Sequence, residues 1–96
     1  MPEIPQKWLK DIKEVLARHI PDVEVRAFGS RVTGKAKKYS DLDLVVMTRS
    51  PLDAKTMAFL KNAFEESNLP IKVDIIEWAT ISDSFKRIIE ERCERI

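Results

Sequence analysis

The sequence predicts an α/β (α+β) fold: a small mixed β-sheet with helices packed on one face, in the order α-β-turn-β-α-β-α. Three observations predict it. Apolar residues recur at three- and four-residue spacings in three segments, the mark of amphipathic helices. Between these segments they alternate, or run uninterrupted for a few residues, as strands require. Both glycines of the chain fall in one basic turn, between the first strand and the second.

The first helix covers Pro5 to Ile20, where Trp8, Leu9, Ile12, Val15 and Leu16 share a face, and Pro21 ends it. Val23 to Phe28 alternates, setting Val23, Val25 and Ala27 against Glu24, Arg26 and Phe28, and Gly29 breaks the strand. Gly29 to Ser40 reads as a short helical turn and loop. Leu42 to Thr48 is a buried strand bounded by Ser40 and by Ser50-Pro51, with Asp41 and Asp43 intruding at its start. Leu52 to Ser67 forms a second amphipathic helix through Thr56, Phe59, Leu60, Ala63 and Phe64, stopped at Asn68-Leu69-Pro70. Ile71 to Trp78 is a third strand, with Ile71, Val73 and Ile75 on one side and Lys72, Asp74, Ile76 and Trp78 on the other. Ser82-Asp83 caps a last helix carrying Phe85, Ile88, Ile89, Cys93 and Ile96. Trp8, Phe59, Phe64 and Phe85 read as core residues.

A chain of 96 residues implies one domain over residues 1–96. A domain of this size buries roughly 60–65% of its unfolded surface, so a partner that covers apolar surface would help it. The net charge of +1 selects no class of partner. Cys93 is the sole cysteine, which excludes a disulfide framework and a cysteine-rich zinc site. No apolar run approaches the ~20 residues of a membrane span, and Met1 to Lys10 holds no signal-like segment, so a cytoplasmic protein is expected. His19, at the end of the first helix, reads as a partner of the helix dipole.

Chemistry concentrates around the turn. Asp41 and Asp43 are two residues apart at a strand start, so they share a face, with Cα atoms about 6.5–7 Å apart. Both can reach shared divalent cations. Two like charges beside Leu42, Leu44, Val45 and Val46 are costly without such compensation, although a wet strand end could solvate them. Gly29-Ser30 follows a strand directly, where backbone N–H groups and a hydroxyl can face a phosphate. Arg31, Lys35, Lys37 and Lys38 lie between these elements without an acidic neighbour and favour a triphosphate, Arg31 and Lys37 being the candidates to neutralise it. Only Tyr39 is interleaved with them, a patch too small to assign a nucleic-acid footprint but not to exclude one. Asp74 on the third strand supplies a third carboxylate able to ligate a cation and take a proton from an attacking hydroxyl. Trp78 shares its side and is a candidate to border a nucleotide.

Taken together, A-F-G-S-R-V-T-G-K-A-K-K-Y-S-D-L-D-L-V-V, from Ala27 to Val46, resembles the signature of the DNA polymerase β-like nucleotidyltransferases: Gly-Ser, ten residues, then Asp-x-Asp. Within that superfamily the chain looks like the minimal nucleotidyltransferase (MNT) branch, with V-D-I-I-E-W from Val73 to Trp78 included in the likeness. The resemblance implies ATP bound through two magnesium ions, with Asp41 and Asp43 as ligands, Asp74 as the third carboxylate, and Gly29 and Ser30 on the phosphates. It also implies a partner: MNT proteins are often encoded beside a HEPN-domain protein, which in several pairs is an RNase toxin that the MNT protein modifies with AMP on a tyrosine.

Three other roles remain open on the sequence. The chain could neutralise a HEPN partner by binding alone, modify a small hydroxylated molecule, or add nucleotides to RNA. The short chain favours an arrangement in which a partner brings the acceptor.

Overall fold

The computed structural model describes residues 4–96; residues 1–3, part of the stretch read as lacking a signal, lie outside the described residues. Pro5 sets the first helix, α1 (Gln6–His19), because its carbonyl accepts the N–H groups of Trp8 and Leu9, both at 3.0 Å. Leu9, Ile12 and Leu16 bury one stripe of it, and Arg18 and His19 stand in its last turn, where cations favour the helix dipole. The strand β1 (Val25–Phe28) leads through Gly29 into a single turn, α2 (Ser30–Thr33), closed by Gly34 in the left-handed conformation. The strand β2 (Leu42–Val46), the helix α3 (Ala54–Glu65) and the strand β3 (Val73–Glu77) follow.

The sheet has the order β3-β2-β1, with β2 antiparallel to β1 and parallel to β3. Leu42, Leu44 and Val46 of β2 meet Ile12, Leu16, Leu60 and Phe64 in one core, so α1 and α3 cover the same sheet face, as expected. Each fully buried Leu or Ile there contributes about 1.5–3 kcal/mol relative to an exposed one.

Three local expectations are corrected. The last helix, α4 (Asp83–Glu91), is N-capped by the Ser82 hydroxyl, which accepts the Phe85 N–H at 3.2 Å, but it ends before Cys93 and Ile96. The remaining residues turn into a short strand, β4 (Glu94–Arg95), antiparallel to β1, with Ile96 N–H donating to Val25 O at 2.9 Å. Two residues at the outer edge of β1 thus find backbone partners there, a tertiary gain invisible to local periodicity. Second, α4 lies on the opposite sheet face from α1 and α3. Phe28, of opposite parity to the core residues Val25 and Ala27, meets Phe85 edge to face at 5.9 Å. Third, Phe59 is exposed, because α3 turns Met57, Leu60 and Phe64 inward and Phe59 falls about 100–160° from each of them at 100° per residue, with Lys55 over its ring. Ile88, read as part of the α4 stripe, is exposed as well.

Candidate active site

The face covered only by α4 holds the carboxylates. Asp43 stands directly opposite Phe28 on β1 and Asp74 on β3 in register, so Asp43 and Asp74 share a face on adjacent strands. Gly29 completes the junction. Its φ of +78° is open to glycine and strained for other residues, and a Cβ built on it would overlap Asp43 Oδ2 and stand 3.2 Å from Asp43 Cγ. The Asp43 carboxylate therefore packs against a backbone that only glycine leaves clear.

Asp43 is held above the usual carboxylate range, first by burial and then by the like charges of Asp74 and Asp41. The fold thus gathers negative charge around Asp43. Lys72, on the same face of β3, pairs with Asp74 at 3.3 Å. Among the described residues no three carboxylate, histidine or cysteine side chains close into a ready-made cage. That donor set suits magnesium, which takes one or two carboxylates together with waters and substrate phosphates, better than an ion needing an all-protein shell.

Ser30 opens α2, and its backbone N–H has no acceptor within that turn, while the Gly29 carbonyl accepts Val32 and Thr33 N–H at 3.0 and 3.1 Å. Gly29, Ser30, Asp43 and Asp74 are therefore brought together. Asp41 lies just before β2, exposed, near enough for its charge to act on Asp43.

Arg31 and Trp78 occupy other places than the sequence reading gave them. Arg31 is buried: its Nε donates to Ser40 O at 3.0 Å, its Nη2 to Lys38 O at 2.9 Å, and its guanidinium stacks 5.6 Å from the Trp8 ring. It pins the loop that delivers Asp41 rather than facing a triphosphate. Its planar fork, which a lysine lacks, is the one sequence hint of that task. Lys37 is exposed in the same loop, where its backbone N–H donates to Ser40 Oγ at 2.8 Å. Trp78 lies four residues beyond Asp74, roughly 13 Å along the strand, under Lys86 and beside Met47 and Arg49. It does not border the carboxylates.

The sequence reading missed Phe28, Phe85 and Lys72 as site residues. They join Asp43, Asp74 and Ile76 around a cleft of about 640 Å³ that wraps the outer edge of β3. Phe28 was assigned to the polar side of β1, and that parity, taken with Asp43, could have found it.

A Gly-Ser turn against paired strand carboxylates in a small cleft has the chemistry that nucleotidyl transfer asks of a site, and comparison with known proteins gives the family. The family model of the nucleotidyltransferase domain matches residues 9–96, and the chain belongs to that family. It is 49% identical over 89 residues to the probable protein adenylyltransferase MntA of Haemophilus influenzae, covering 93% of this chain and 78% of that protein. Among solved structures it resembles a toxin–antitoxin crystallised with AMP-PNP (TM-score 0.72, 23% identity, 90% of this chain and 69% of that one). It also resembles the spectinomycin adenyltransferase AAD(9) of Enterococcus, crystallised with ATP and spectinomycin (TM-score 0.57, 20% identity, 92% of this chain and 45% of that one). At these identities the solved structures bear on the fold alone. Among the described residues no helix is long and apolar enough to cross a membrane.

Proposed function

We propose that the protein transfers AMP from ATP to a hydroxyl of a partner protein, a toxin of the HEPN class, and so acts as its antitoxin. The observation that carries the reading is the convergence of Gly29, Asp43 and Asp74 on one sheet face, in a chain half identical to a probable protein adenylyltransferase. Asp41, Asp43 and Asp74 would hold two magnesium ions, which when bound supply Lewis-acid stabilisation of the reacting phosphate. Gly29 and Ser30 orient the triphosphate through the backbone at the start of α2. Asp74 accepts the proton of the acceptor hydroxyl as the new oxygen–phosphorus bond forms at the α-phosphate and pyrophosphate leaves. Phe28 and Phe85 narrow the cleft and keep bulk water from competing with the acceptor. Lys37, exposed on the basic loop, meets the leaving pyrophosphate. The chain as one domain of residues 1–96, working in the cytoplasm, belongs to the same reading.

The test is incubation of the purified chain and its toxin partner with magnesium and α-labelled ATP. Label is expected on the partner protein, and the double variant Asp41→Asn, Asp43→Asn should fold and transfer none. Label on RNA or on a small hydroxylated molecule would replace the acceptor; full transfer by the double variant would remove the carboxylates from the reaction.

A further inference from the structure

We infer that the acceptor polypeptide docks as an extended strand on the free edge of β3, with its acceptor residue directly opposite Asp74. The inference rests on the proposed protein acceptor. It is carried by the hydrogen-bond register of β3, which among the described residues is paired on one side only.

Leu42 N–H donates to Lys72 O at 2.9 Å, and Leu42 is the register partner of Val73. In a parallel ladder this phase turns the N–H groups of Asp74 and Ile76 toward β2. The backbone groups of Val73 and Ile75, and the N–H of Glu77, therefore point outward. Among the described residues no backbone hydrogen bond beyond the ladder engages the outward N–H groups. These groups lie along the cleft beside Asp74, which has walls on both sides of the strand: Phe64 and Leu69 on one, Phe28 and Phe85 on the other. A strand added there sits about 4.8 Å from β3, and the residue opposite Asp74 projects its side chain on Asp74's face. Its neighbours two residues away fall opposite Lys72, which favours an acidic group, and Ile76, which favours an apolar one. Backbone pairing supplies affinity and these side chains specificity, as in strand addition generally.

The reason to assign the edge to the acceptor is its place in the reaction. Asp43 on the inner strand is closed against Gly29, so the open approach to the carboxylates runs past Asp74.

The test uses the nitrogen-15-labelled chain and a synthetic probe, acetyl-Thr-Val-Asp-Val-Tyr-Val-Leu-Val-Thr-amide, which in parallel pairing sets Asp, Tyr and Leu opposite Lys72, Asp74 and Ile76. At peptide about ten times its Kd, amide exchange at Val73, Ile75 and Glu77 is expected to slow about tenfold, with Asp74 and Ile76 unchanged. The peptide N-methylated on its β3-facing amides should lose this protection. In Lys72→Glu, a probe with Lys in place of its Asp should bind better than the original, the reverse of the wild-type order. Protection without label from α-labelled ATP on the tyrosine would leave docking in place and remove the transfer reading. Label without protection, or equal use of the N-methylated peptide, would overturn docking and leave transfer. Absence of protection by the probe also overturns it, as does concentration-dependent protection without peptide, which would assign the edge to a second copy of the chain.

Discussion

Replacing Asp43 by Asn should make the metal-free protein more stable while abolishing transfer. Asp43 and Asp74 are directly opposed on adjacent strands, so their side chains stand about 5 Å apart. Two unit charges at that distance repel by roughly 0.8 to 3 kcal/mol for effective dielectric constants between about 80 and 20. Lys72 offsets part of this at Asp74, whose side chain is 43% exposed, which places the effect near the lower figure. A gain of about 1 kcal/mol corresponds to a Tm rise of about 4–8 °C for a domain of this size. The sign follows from linkage. Asp43 is held above its ordinary range by burial and then by Asp74 and Asp41, so folding disfavours its charged form. The penalty is absent below the ordinary carboxylate range and grows as pH rises through the raised value. The advantage of Asp43→Asn should therefore be full at neutral pH and vanish in acid. Thermal melts of both proteins in chelator, across that pH range, measure it. A variant less stable than wild type at neutral pH, or a gain independent of pH, would refute the account of an uncompensated carboxylate. Added magnesium should close the gap by stabilising the wild type alone.

Further outcomes follow from the same geometry. Gly29→Ala should cost about 1–3 kcal/mol through its backbone conformation, and should displace Asp43, so that a lower Tm comes with lost transfer. Arg31→Met should leave Ser40 O and Lys38 O without their donors at a cost of about 1–3 kcal/mol and speed proteolysis between residues 37 and 40. Lys37→Ala should do neither, and reduce transfer only. Ser82→Ala should lower stability by about 1 kcal/mol through the lost α4 cap, with transfer per folded molecule unchanged.

The strands and the carboxylate pair were legible in the sequence because their information is local. Alternation set Asp43 opposite in face to Leu42 and Leu44, and the structure keeps that parity. The spacing from Gly29-Ser30 to Asp41 likewise signalled a turn closing on a strand start. The loop between them was not legible. Arg31 lies among lysines that are exposed, and its burial depends on Trp8 of α1 and on the carbonyls of residues 38 and 40. Nor was the phase of α3, where Thr56, Phe59 and Ala63 satisfy helical spacing nearly as well as Met57, Leu60 and Phe64; packing against α1 decides. The pairing of β4 with β1 required knowing that β1 had an edge to fill.

On the proposed reading, strand order also fixes the order of the reactants. The Gly29-Ser30 turn leaves the end of β1, Asp43 stands on β2 and Asp74 on β3, three successive strands. At about 4.8 Å per strand, the phosphate cradle and the outer carboxylate are separated by roughly 10 Å across the sheet. An in-line displacement needs its leaving group and its nucleophile on opposite sides of the phosphorus. Pyrophosphate at the β1 side and the hydroxyl at the β3 side meet that requirement with the α-phosphate over Asp43. The nucleotide then occupies the closed end of the cleft, against backbone that admits only glycine, and the acceptor the open end. A small molecule needs no more than the pocket. A polypeptide also needs a continuous surface leading to it, and the free backbone of β3 beside Asp74 supplies one.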